Sequence, residues 1–140
     1  MKAVRAAAAG LVLAATGVAA QPASAPVAPA ADCPPPKAGA AVIAQPGLRA
    51  TWQAEPTPAV SRPFAIRITL CPARAELLRV DASMPEHRHG MNYRPRVQAS
   101  GPGAWTADGL LWHMPGRWDL LLVVRVDGQE RRLVQSVTLR

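Results

Sequence analysis

The stretch Phe64-Ala-Ile-Arg-Ile-Thr-Leu70 alternates large apolar side chains with small or polar ones at strict period two. Successive side chains of an extended chain leave opposite faces. Phe64, Ile66, Ile68 and Leu70 therefore share one buried face, and Ala65, Arg67 and Thr69 share the other. Cys71-Pro72 ends the run. Upstream, Leu48, Ala50 and Trp52 alternate with Arg49, Thr51 and Gln53 until Pro56-Thr57-Pro58 breaks the pattern. Downstream, Leu78, Val80 and Ala82 keep strand spacing up to Met84.

The same reading continues to the end of the chain. Val97 to Ser100 and Ala104 to Ala107 are short candidate strands on either side of Gly101-Pro102-Gly103. Asp108-Gly109 then reads as a turn into Leu110–Met114, and Pro115-Gly116 as another. Trp118 to Val126 is a long apolar run, and Asp127-Gly128 is a hairpin signal leading to Leu133, Val137 and Leu139 on one face. No stretch shows a helical period. About seven short strands with turns between them predict an all-β domain, an immunoglobulin-like antiparallel β-sandwich over residues 47–140, with a small barrel as the rival architecture.

Two segments precede that domain. Lys2 and Arg5 followed by the apolar run Ala6–Ala20 read as a signal peptide over residues 1–20, too short to span a bilayer by the criterion of about 20 residues. The expected compartment is therefore periplasmic or secreted, with no stable membrane insertion after cleavage. Residues 21–46 are rich in alanine and proline and read as a spacer. Two cysteines in an exported chain are expected to pair. A Cys33–Cys71 bridge would close a loop worth about 3–4 kcal/mol in the chain-entropy model. The alternative is a pair of thiolate metal ligands.

The formal net charge is +7, and loss of Lys2 and Arg5 leaves fourteen basic against nine acidic residues, or +5. The arginines are scattered along the sequence and aromatics make up 4% of it, which argues against a nucleic-acid surface. No serine has an identifiable base, and no phosphate loop or carboxylate pair stands out, so no enzyme is expected.

The chemistry lies in Met84-Pro-Glu-His-Arg-His-Gly-Met91 and in the adjacent His113-Met114. Beyond the initiator, these segments hold every histidine and every methionine. Imidazole and thioether together suit copper, and the thioether favours Cu(I), with Cu(II) open to the imidazoles. In an extended segment His87, His89 and Met91 leave one face, and Met84 reaches the same point if the chain turns at Pro85. His113 and Met114 would come from a second strand with their side chains opposed, His113 favoured as ligand and Met114 as ligand or core. Taken singly, a methionine beside proline is a packing residue and a histidine at a strand end is a solvated one. Their clustering sets them apart. Zinc suits the set less well because thioethers contribute little to zinc sites, and haem lacks its attachment motif.

At Met84–Met91 and at His113-Met-Pro-Gly-Arg-Trp118 the chain resembles the YtkA-like and FixH-like group of periplasmic domains, over about Leu48 to Leu139. The resemblance implies an immunoglobulin-type sandwich outside the cytoplasm and a part in copper traffic beside redox-complex assembly. FixH-like members carry a membrane anchor, whereas this chain begins with a cleavable-looking leader. Its doubled histidine is richer than the usual single His-Gly-Met. The functional expectation is a copper storage, chaperone or delivery protein whose partner is a periplasmic or membrane redox or copper-transport protein. The alternative is a metal-free module that binds a protein during assembly of such a complex.

Overall fold

The computed structural model describes residues 33–140. The leader and residues 21–32 of the spacer lie outside the described residues. Nine strands follow in order: β1 (Ala41–Gln45), β2 (Leu48–Glu55), β3 (Phe64–Cys71), β4 (Glu76–Met84), β5 (His89–Gly90), β6 (Arg96–Gly101), β7 (Ala104–Leu110), β8 (Gly116–Val126) and β9 (Gln129–Leu139). Among the described residues there is no helix, and so none long and apolar enough to cross a membrane.

All pairings are antiparallel, and the strands form two sheets in the orders β1-β2-β3-β7-β6 and β5-β4-β8-β9. Within these, β2-β3-β7-β6 faces β4-β8-β9, the ABED and CFG arrangement of an immunoglobulin sandwich. β1 and β5 are added at the edges. The core is where the inner faces meet. Phe64, Ile66, Ile68 and Leu70 oppose Trp118, Leu120, Leu122 and Val124, all of them buried. Each such side chain contributes roughly 1.5–3 kcal/mol by leaving water. Sheet-to-sheet bonds close one side, where Trp52 Nε1 donates to Gln135 Oε1 at 2.8 Å and Gln45 Nε2 donates to the Arg132 carbonyl at 2.8 Å.

Several expectations are corrected. The sheet begins earlier than residue 47, because Ala41–Gln45, inside the proposed spacer, pairs with β2 as an edge strand. In β4 the inward residue is Leu77, not Leu78, since a bulge between Leu77 and Arg79 adds a residue before Val80. Asp108-Gly109 is not a turn: β7 runs through it to Leu110, opposite a register shift between Phe64 and Ile66.

Cys33 and Cys71 stand at disulfide distance, with Cα atoms 5.4 Å apart. The pair ties the chain before β1 to the last residue of β3. Arg49, across from Cys71 in the ladder, reinforces the tie by donating to the Pro34 carbonyl.

Candidate metal centre

The histidines lie at the other end of the sandwich. β3 runs from Phe64 to Cys71, about 23 Å at strand rise, and its Phe64 end packs edge-on against Trp112, ring centroids 5.0 Å apart. Three connections meet there: the loop before β3, the β4–β5 turn and the link from β7 to β8.

Met84 to Met91 is a tight hairpin, not one extended strand. Met84 pairs with His89 and Ser83 with Gly90, leaving Pro85–Arg88 as the turn. His87 N–H donates to the Met84 carbonyl at 3.1 Å, and Arg88 adopts φ +55. Proline cannot donate to a ladder, which stops β4 here. The expectation that His87, His89 and Met91 share one extended face is therefore corrected: His87 is exposed on the turn, and His89 is half-buried on the return strand.

The register fixes where His89 points. Residues opposite one another in an antiparallel ladder share a face. Met84 is opposite His89 and, one step beyond the Ser83–Asp119 pair, opposite Trp118. Met84 and Trp118 are both fully buried, so His89 faces inward from the sheet edge. Its ring meets the Trp118 ring edge-on at 5.9 Å.

The second segment is the β7–β8 link, not a strand. Ser61 N–H donates to the Trp112 carbonyl at 2.8 Å and Ser61 Oγ to the His113 carbonyl at 3.4 Å. From the other side, Trp118 Nε1 donates to the Met114 carbonyl at 3.0 Å. Held between these bonds, the half-buried His113 lies with its ring 5.5 Å from Trp118 and 5.1 Å from His89. His87 stands 5.8 Å from His89.

A ligating imidazole nitrogen sits about 2.0–2.1 Å from a tetrahedral ion, which sets the centroids of two rings sharing it about 5 Å apart. His89 and His113 match that spacing, and His87 is looser. His89 Nδ1 lies 3.3 Å from the Gly90 carbonyl. A carbonyl only accepts, so Nδ1 is the donor in that contact and Nε2 is the nitrogen left available to a metal.

The thioethers divide. Met91 N–H donates to the Ala82 carbonyl at 3.0 Å, and Met91 and Met114 are half-buried against the rim of the core. Met84 is core: it is wholly inaccessible, and its Cε lies where a Cβ on Gly116 would come within 2.9 Å. The neighbouring carboxylates are engaged, Glu86 with Arg117 at 3.3 Å and Asp81 with its own strand through the Ala82 N–H. Among the described residues no group of three or more His, Cys, Asp or Glu side chains is arranged to hold a metal ion. The structure thus brings together a pair of imidazoles and an outlying third, with Met91 and Met114 close to them in sequence and packed against the core.

Sequence reasoning set Trp118 at the start of the apolar run but missed it as the wall behind both imidazoles, and it missed Ser61 altogether. A Pro-Gly pair one residue before a tryptophan at the head of an apolar strand was the available signal for Trp118. Ser61 had none. No family model, no curated protein and no solved structure matches this chain.

Proposed function

We propose that this chain is an exported, non-enzymatic copper-binding protein of the YtkA-like and FixH-like kind, holding one ion at the imidazole end for storage or delivery. The single observation that carries the proposal is the 5.1 Å approach of His89 and His113, from segments 24 residues apart, with two half-buried thioethers alongside. His89 and His113 supply nitrogen and Met91 and Met114 supply the soft sulfur that favours Cu(I), while His87 is available as an outer donor. Met84 supports the site by packing beneath Trp118. The likeness to the family rests on the two motifs alone. The cysteine pair is compatible with an oxidising compartment, which supports the periplasmic or secreted reading.

The test is titration of the wild type and its variants with Cu(I) and Cu(II) against a competing chelator. The wild type should take up one ion per chain. His89→Ala should weaken both oxidation states, and Met91→Ala should weaken Cu(I) far more than Cu(II). Uptake no greater than that of a His87→Ala/His89→Ala variant sinks the copper reading and leaves the metal-free interaction module in its place.

A further inference from the structure

The arginines that look scattered in the sequence gather in the fold. Arg62 lies in the loop before β3, Arg88 ends the hairpin turn, Arg94 and Arg96 flank Pro95 at the head of β6, and Arg117 lies at the head of β8. Strand directions bring all five to the end that carries the imidazoles. Ser61, beside Arg62, bonds to the Trp112–His113 backbone, and Met91, which leads towards Arg94, bonds to β4. All five arginines are exposed.

Only Arg117 has a carboxylate partner, Glu86; among the described residues Arg62, Arg88, Arg94 and Arg96 are in no ion pair. Asp108, across the ladder from Arg96, and Asp119, paired with Ser83 and accepting from Ser136 Oγ, are the other carboxylates here, and the Glu55–Arg67 pair at the rim is neutral. Five arginines thus face three carboxylates, Glu86, Asp108 and Asp119. Elsewhere Arg74, Arg79 and Arg125 are matched by Asp127, Asp81 and Glu76, while Lys37, Arg49, Arg131 and Arg132 are in no ion pair but lie away from the imidazoles.

We infer that this end is a docking face for an acidic protein surface, with the imidazoles at its centre. Guanidinium groups left without carboxylates present fork-shaped donors that fit Asp and Glu on a partner. Tyr93, 61% exposed, sits next to Arg94, and tyrosine with arginine is the composition of interface hot spots. A bilayer of anionic lipid is the other extended polyanion. Stable adsorption there wants an apolar face or an acyl chain beside the charges, and Tyr93 is the one large exposed apolar side chain at this end. Where the partner exchanges copper, a role that rests on the copper reading, steered docking would bring its ligands to His89 and His113 without a long-lived complex.

The probe is a decaglutamate peptide titrated into the full chain and followed by amide NMR shifts. Shifts should concentrate in residues 61–62, 86–96 and 111–117. Arg88→Glu/Arg94→Glu should weaken binding by about tenfold or more, as expected for loss of steering charges. Lys37→Glu/Arg132→Glu, an equal change in net charge at exposed positions elsewhere, should change it less than about twofold. Equal losses in the two variants, or shifts spread over the whole surface, overturn the inference in favour of net charge alone. Tighter binding to phosphatidylglycerol vesicles than to the peptide overturns it in favour of a membrane. Copper titration of Arg88→Glu/Arg94→Glu separates the two proposals: unchanged uptake with lost peptide binding supports both, and peptide binding by a chain that takes up no copper leaves docking standing alone.

Discussion

Trp112 and Trp118 are both fully buried and stack in parallel with centroids 5.7 Å apart, yet their indole N–H groups have different fates. Trp118 Nε1 donates to the Met114 carbonyl, whereas Trp112 Nε1 is buried with no partner. Substituting phenylalanine removes a similar volume at either position. At 118 it also leaves the Met114 carbonyl unpaired, while at 112 it removes an unsatisfied donor. Trp118→Phe should therefore cost more than Trp112→Phe, by about 1–3 kcal/mol in urea denaturation. Because the lost bond restrains the link carrying His113, Trp118→Phe should also weaken copper uptake. Equal costs would mean that the indole bond does not hold that link. The same scale separates the methionines: Met84→Leu, nearly volume-conserving in the core, should leave copper stoichiometry unchanged.

At the scale of strands, β3 and β8 carry the core on one face each. Leu120, wholly buried on β8, should cost about 2–5 kcal/mol when truncated to alanine. Arg67, on the outer face of β3 and paired with an equally exposed Glu55, should cost about 0.5 kcal/mol or less. Comparable losses would mean that the faces are reversed. These strands were legible because burial on one face only writes itself as alternation. The hairpins at Pro102-Gly103 and Asp127-Gly128 were legible from their turn residues. At the latter, the hydrogen bond from Arg74 holds the Asp127 carboxyl below its ordinary range, partly offset by desolvation. That contribution is present above the unfolded carboxylate value and is lost as pH falls through the folded one. What escaped the sequence was written on no face. β1 is an edge strand with no fully buried residue, hidden among alanines. β5 is two residues long. The bulges in β4 and between β3 and β7 each break the parity on which alternation depends. The candidate site shows the same split. Composition found all three imidazoles and Pro85 offered a turn, but period-two spacing set His87 beside His89 on one face, because nothing in it said that the turn takes in His87.

Over the whole molecule, the Cys33–Cys71 pair and the imidazole cluster occupy opposite ends of a sandwich about one β3 in length. The cysteines hold the chain before β1 to the sheet, and the closed loop spans 38 residues. In the chain-entropy model, a Cys33→Ser/Cys71→Ser variant should lose about 3–4 kcal/mol, mostly through the unfolded state. Thiol titration of the wild type, purified from an oxidising compartment without reductant, should find no free thiol. Sites this far apart with no shared partner contribute independently. The serine variant, at a temperature where it is still folded, should therefore bind copper as the wild type does. It is the right reagent for the question, since a thiol reductant would itself compete for copper. Stability lost with copper affinity intact supports a purely structural cysteine pair and an ion held by imidazole and thioether. Two titratable thiols in the wild type, together with copper affinity lost in the serine variant, would instead make the cysteines ligands, and the pair of imidazoles would no longer account for binding.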